Sequence, residues 1–310
     1  MPDAAVPAEP VAPMPGAAAA ALPRRPLTGV ALLAVAVLLF ASMDTTTKYL
    51  VGSYDPRLVV AVRYILHFLL MLAIVGPIHR TRMARTRRPG LVLVRAACLV
   101  LASLLMGLAL RRMPVAEATA MVFLAPILVV LAAPWVLRER FRGADAAAAA
   151  VGFAGVLLIA RPGSALDPLG VLLVLGAAAL SAGYMLLSRH LASTETTMVL
   201  LFYTALVGAV ACGLALPWSV GGPAPTATQL ALFLWTGFVG GVGHYLFTAA
   251  HRYAPASFLA PVNYLQILWA GLLGWLVFGQ VPDAISVAGM ALVVAAGVAI
   301  ALRSAARRSA

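Results

Sequence analysis

The chain has 310 residues, 63% of them hydrophobic and only 10% charged, with a formal net charge of +12 at pH 7. A soluble domain draws about 25% of its residues from the charged set, so this composition excludes a water-soluble globular protein. The apolar residues run continuously rather than alternating, which disfavours a β-barrel and points to membrane-spanning helices.

Residues 1–26 form a Pro/Ala-rich stretch without a periodic apolar face, expected to be a disordered cytoplasmic tail. Ten apolar runs follow, at roughly 27–49, 57–77, 91–110, 115–137, 144–160, 168–188, 197–218, 228–250, 255–278 and 284–302. Each is near the ~20 residues a helix needs to cross a bilayer. Arg24-Arg25 precedes the first run, but that run is long and lacks a small-residue cleavage site, so it reads as a retained span rather than a signal peptide. Residues 303–310 read as a basic cytoplasmic tail.

With the N-terminus inside, fifteen of the 22 Lys and Arg residues fall on the cytoplasmic side, five on the other, and Arg63 and Arg95 within spans. This positive-inside bias makes the net charge a topology signal and places both termini in the cytoplasm. It removes the reason to invoke nucleic acid. Cys98 and Cys212 both lie inside spans, far apart, with neither a disulfide framework nor metal-ligand spacing.

The second five runs echo the first five at an offset of 141 residues. Gly29-Val30 meets Gly170-Val171, Lys48 meets Arg189, Arg111 meets Arg252, and Pro114 meets Pro255. An odd number of crossings per copy inverts the second copy in the membrane, the arrangement of inverted-repeat transporters. The expected fold is therefore all-α and polytopic: ten transmembrane helices as two inverted five-helix repeats, 27–160 and 161–302.

Several short motifs carry a family resemblance: Lys48 closing span one, Arg63-Tyr64 early in span two, and the run from Met113 to Ala125 opening span four. Leu137-Arg138-Glu139-Arg140 follows span four, and Ala254-Pro255-Ala256-Ser257 and Phe278-Gly279-Gln280 take the equivalent places in the second half. With these the chain resembles the drug/metabolite transporter superfamily, specifically its EamA-type ten-helix members. Gln280 stands where that family usually has Glu. The Arg63-Tyr64 and Leu259-Ala260-Pro261 regions look closest to the branch containing S-adenosylmethionine uptake carriers. The resemblance implies a carrier for small organic metabolites without an ATP-binding domain, and the sequence holds no GxxxxGK[ST] loop.

Ionisable groups at membrane depth cost roughly 2.5–3.5 kcal/mol each on insertion scales, so they pair or line a cavity. Asp44 and Lys48, four apart, are expected to form an ion pair on one helical face. Arg63 and His67 share that spacing, and Asp44, Lys48, Arg63 and Glu117 make an outer cluster of two acids and two bases that either locks spans one, two and four or binds solute. Arg63 can hold a carboxylate or phosphate with two parallel hydrogen bonds. Arg95, near the inner end of span three, is expected to snorkel to the headgroups.

The second half offers Tyr184, Tyr203, Trp235, His244, Tyr245, Asn263, Tyr264, Gln266 and Trp269 within its spans. Asn263 and Gln266 share a face near mid-membrane, and buried amides need partners. Aromatics near span ends read first as interfacial anchors. His244 reads as a packing residue or a proton relay. Pro126 and Pro261 interrupt the ladders of spans four and nine and are expected as hinges. The expected substrate-binding residues are Asp44, Arg63, His67, Glu117, Tyr184, His244, Asn263, Gln266 and Trp269.

The expected function is a secondary transporter in the cytoplasmic (inner) membrane, moving a small polar metabolite of the S-adenosylmethionine, amino-acid or riboflavin class by alternating access. An amino-acid or drug exporter of the same superfamily is the near alternative; a non-transporting scaffold or an intramembrane enzyme are the distant ones. An enzyme would need an acid cluster for Mg²⁺, a zinc motif or a Ser/His arrangement, and the scattered histidines provide none of these. No catalytic residue, metal or cofactor is expected. Expected partners are a small-molecule solute and membrane lipid, with a homodimer left open and no nucleic acid.

Overall fold

The computed structural model describes residues 26–74, 76–79, 83–136, 143–161, 166–192, 194–219, 221–254 and 256–309. Their regular structure is helical: α1 (Pro26–Val51), α2 (Pro56–Ile74), the short α3 (Gly76–His79), α4 (Pro89–Leu110), α5 (Val115–Val122), α6 (Ala125–Val136) and α7 (Gly143–Ala160). The second half holds α8 (Pro168–Leu191), α9 (Thr197–Leu214), α10 (Ala227–Tyr253), α11 (Ala256–Asn263), α12 (Leu265–Phe278) and α13 (Ala284–Ser309). Arg138, Glu139, Arg140 and Pro255 lie outside the described residues.

Local chemistry sets the helix ends. Proline opens α2, α4 and α8, where its missing N–H costs nothing. Asp167 caps α8 by accepting from the Leu169 N–H, Thr196 caps α9, and Thr226 with Gln229 forms a capping box on α10. α12 ends at Gly279, which adopts φ +65°, while the Gln280 N–H reaches back to the Gly274 carbonyl.

Nine apolar segments of the described residues are long enough to cross a membrane, and the 18-residue α7 supplies a tenth. Two of these crossings are broken, one into α5 and α6 and one into α11 and α12. Each break lies three residues from a proline, after Phe123 for Pro126 and at Tyr264 for Pro261. Ten crossings put Pro26 and Ser309 at one face of the bundle, the terminal face. The α1–α2 and α4–α5 turns lie at the other, the distal face.

The inverted repeat is visible in the packing. Stepping 141 residues turns α1 into α8, α2 into α9, α4 into α10, α5 into α11, α6 into α12 and α7 into α13. The helix pairs follow: α1 lies on α10 as α8 lies on α4, α1 on α12 as α8 on α6, and α2 on α10 as α9 on α4. Two pairs map onto themselves, α2 with α9 and α7 with α13. Even single contacts repeat. A Cβ on Gly29 would meet Ala254 at 2.9 Å, and one on Gly170 would meet Met113, whose counterpart is Ala254, at 3.4 Å. Phe123 and its counterpart Tyr264 touch each other, ring centroids 4.9 Å apart, beside the pseudo-two-fold axis. Lipid offers no hydrophobic incentive for helices to associate, so such close small-residue approaches supply the packing.

Candidate functional site

Four helices bring the polar residues together. Asp44 comes from α1, Arg63 and His67 from α2, His244 from α10, and Gln266 and Trp269 from α12. Arg63 is only 7% exposed, and its guanidinium lies 5.2 Å from the Tyr64 ring centroid. Among the described residues no hydrogen bond or ion pair engages it, although Asp44, His67 and His244 lie within its electrostatic reach. The Arg63 nitrogens are not among the fully enclosed side-chain atoms without a partner, so these five fixed donors face accessible space in which a solute or water can meet them.

Asp44 is also buried and accepts from Gln266 Nε2 at 3.4 Å, the long end of hydrogen bonding. His67 and His244 stack with centroids 6.1 Å apart and planes 10° from parallel, and Phe40 packs on His244 at 4.9 Å. Gly241 makes room for this, since a Cβ there would already meet His67 at 3.4 Å. Trp269 Nε1 is buried without a partner. Oppositely charged groups thus flank a pair of parallel rings, with acid and guanidinium left outside any mutual salt bridge.

The expected Asp44–Lys48 ion pair does not form in this structure. Lys48 Nζ instead donates to the carbonyls of Leu110, at 3.0 Å, and Met113, at 2.8 Å, and sits 5.5 Å above the Phe278 ring. The reason is geometric: the C-terminus of α4 presents carbonyls without helical donors, and an ammonium has three protons to give. The outer cluster is therefore split. Lys48 and Glu117 interact near the α12–α13 turn, where Glu117 Oε2 is buried without a partner, while Asp44 and Arg63 belong to the central group.

Arg95 departs furthest from expectation. It is 4% exposed and does not snorkel. Its Nε donates to Ser188 at 2.7 Å, Nη1 to the Leu200 carbonyl at 3.1 Å and to Thr204 at 3.0 Å, and Nη2 to Tyr184 at 2.9 Å. Tyr184 also stacks beneath the guanidinium at 4.3 Å, so this ring is committed to Arg95. Asn263 and Gln266 fall on either side of the break at Tyr264: Gln266, on α12, reaches Asp44, while Asn263 ends α11 half-buried. Trp235 Nε1 donates to Ser42, and the Tyr203 hydroxyl donates to the Ala84 carbonyl. Tyr245 is exposed, and Cys98 and Cys212 are free thiols.

One buried acid is missing from the residues singled out in the sequence. Glu195, in the α8–α9 turn, accepts at Oε1 from the Thr86 hydroxyl and from the backbone N–H groups of Arg87 and Arg88, tying two terminal-face connections together. The step of 141 residues maps Glu195 on Tyr54 and Arg88 on Gln229, and the Tyr54 hydroxyl donates to Gln229 Oε1 at 2.9 Å on the distal face. The repeat, followed residue by residue, was the signal that would have found it.

An inverted pair of five-crossing repeats enclosing an intramembrane charge-and-ring site defines a polytopic transporter for small molecules. The EamA-like transporter family model matches this chain twice, over residues 27–161 and 168–302, and the chain belongs to that family. It is 29% identical to an uncharacterized transporter of Helicobacter pylori, over 88% of this chain and 94% of that protein. A riboflavin transporter of Rhizobium johnstonii is 34% identical over 62% of this chain and 63% of its own length. An S-adenosylmethionine uptake transporter of Rickettsia prowazekii is 23% identical over 82% and 85%. A solved crystal structure shares the fold at TM-score 0.60 with 21% identity, over 91% of this chain and 96% of that one. These named relatives are transporters, not enzymes.

Proposed function

We propose that this protein is a secondary carrier of the cytoplasmic membrane that moves a small polar organic metabolite by alternating access, with both termini in the cytoplasm. The observation that carries this reading is the buried Arg63 side chain, which has no hydrogen-bonding partner among the described residues and stands near an acid that is not salt-bridged to it. Arg63 would grip a carboxylate or phosphate of the solute, and Asp44, oriented by Gln266, would receive a cationic or donor group. The His67–His244 pair would accept a flat part of the molecule. A zwitterion or a polar heterocycle satisfies all three, in keeping with the S-adenosylmethionine, amino-acid and riboflavin classes. The breaks beside Pro126 and Pro261, and the Phe123–Tyr264 contact between them, supply the bending points for rocking one repeat against the other.

The test is uptake and efflux in proteoliposomes with radiolabelled S-adenosylmethionine, riboflavin and an amino-acid mixture, with and without a proton gradient. Saturable movement of one of these that is lost in Arg63→Ala and Gln266→Ala supports the carrier and its site. Movement that survives both substitutions keeps the carrier and removes the site. No movement of any labelled solute in either direction counts against the substrate classes named here.

A further inference from the structure

One stripe of α10 carries His244, Phe247, Thr248 and His251, spaced i, i+3, i+4 and i+7. Its inner end is the His67–His244 stack of the central site. At its outer end the exposed His251 nears the terminal face. There Phe247, Thr248 and His251, with Thr197 at the start of α9, line a cleft of about 380 Å³, within the ~300–1,000 Å³ typical of small-molecule sites. Both α9 and α10 pack on α2, and the cleft lies between their terminal-face ends.

The lining has the chemistry of a ligand site for a flat ring. Among the described residues, no Asp, Glu, Lys or Arg lines it. The hydroxyls of Thr197 and Thr248 engage no described partner, and His251 Nδ1 lies 2.8 Å from the Phe247 carbonyl, which leaves Nε2 available. Ring contacts then run without a gap into the membrane. His251 meets Phe247 at 4.9 Å, Phe247 meets Phe40 at 6.2 Å, Phe40 meets His244 at 4.9 Å, and His244 meets His67 at 6.1 Å. All four separations fall in the ~4.5–7 Å span of aromatic pairs.

We propose that this cleft is a second binding site, a vestibule on the terminal face, for a planar heteroaromatic solute that stacks on Phe247 and His251 and hydrogen-bonds Thr197, Thr248 and His251 Nε2. The Phe40–His244–His67 rings then form the route inward; that route rests on the carrier reading, whereas binding in the vestibule does not. An aliphatic solute has no face to stack and is not retained there.

The experiment places Thr248→Cys in protein whose Cys98 and Cys212 are replaced by Ser, and follows its reaction with a membrane-impermeant maleimide in sided vesicles. Riboflavin and adenosine are the ring probes, and leucine the aliphatic control. The expected result is modification from the terminal face, slowed roughly tenfold by a ring probe present at about ten times its Kd and unchanged by leucine. Adding Phe247→Leu is expected to abolish the protection without altering the unprotected rate. Thr197→Cys, on the facing helix, gives the same measurement if Thr248→Cys does not fold. Equal rates with and without both ring probes, or equal protection by leucine, overturns the proposal. Uptake measured on the same vesicles separates the two readings: protection without transport keeps the vestibule and removes the carrier, and transport without protection does the reverse.

Discussion

Arg95 fastens three helices, and its removal should be read in stability rather than in substrate affinity. The guanidinium on α4 makes four hydrogen bonds, to Ser188 and Tyr184 on α8 and to Thr204 and the Leu200 carbonyl on α9, with Tyr184 stacked beneath. Interhelical hydrogen bonds in membranes average about 0.6 kcal/mol each, so the four sum to about 2.4 kcal/mol. Ser188 and Thr204 keep their own bonds to the Tyr184 and Leu200 carbonyls after truncation, which limits the number of orphaned groups to the Tyr184 hydroxyl. The expected cost of Arg95→Ala is therefore about 2–3 kcal/mol, seen as a lower Tm in detergent followed by thiol-reactive dye. Arg95→Lys should recover only part of it, because a point ammonium cannot match the planar fork. An unchanged Tm in Arg95→Ala, joined to a raised KM for a transported solute, would refute the fastener reading and place Arg95 in the solute path.

Lys48→Met should lower stability by about 1–2 kcal/mol through loss of the Leu110 and Met113 carbonyl contacts, read as a lower Tm, and Lys48→Arg should retain part of that stability. Glu195→Ala should release the connection it holds at Arg87 and Arg88, which is measurable as faster tryptic cleavage there with little change in Tm. Asp167 and Asp283 are held below the usual carboxylate range, the first by the Arg112 hydrogen bond and the Leu169 N–H, the second by the Ser286 N–H and the Arg161 hydrogen bond. A depressed folded pKa gives stability that is fully present above the unfolded value of about 3.9 and is lost as pH falls through the folded value. Tm should therefore decline below about pH 4, and the double Asp167→Asn, Asp283→Asn variant should show a shallower decline. Pro261→Ala should straighten the α11–α12 break and lower Vmax for a transported solute while leaving its KM in place. A KM change with constant Vmax would deny Pro261 a part in the motion.

The features legible in the sequence are those written in periodicity and punctuation. Continuous apolar runs give the crossings, and the 141-residue step gives the pairing of helices. Pro126 and Pro261 lie within three residues of the breaks, where a missing N–H leaves the ladder a bond short, whereas Pro134 is carried inside α6 without one. The partners of the charged residues were hidden for two reasons. Lys48 bonds backbone carbonyls, which no residue letter announces, so the carboxylate four positions away looked like the natural partner. Arg95 finds acceptors 89 to 109 positions away, on helices whose rotation about their own axes the sequence does not state. The Asp44–Gln266 contact spans 222 positions and joins helices from the two repeats, a proximity that no local pattern announces.

The two repeats share a scaffold and differ in the chemistry placed on it. At equivalent positions on opposite faces, Glu195 binds backbone N–H groups of Arg87 and Arg88, whereas Tyr54 binds the side chain of Gln229. The first joins a carboxylate to peptide donors, and the second joins two neutral groups. Hydrogen bonds with an ionised partner are roughly twice as strong as neutral ones, so the fastener on the terminal face is the stronger of the pair. A duplicated carrier with identical fasteners would hold its two access states at equal free energy. In the alternating-access carrier proposed above, unequal fasteners on equivalent helices would bias that balance. The same division holds at the centre. α1 and α2 supply Asp44 and Arg63, while their counterparts α8 and α9 supply Tyr184 and Thr204, which are spent on holding Arg95. The first repeat supplies the two charged groups of the central cluster, and the second supplies the acceptors that hold Arg95.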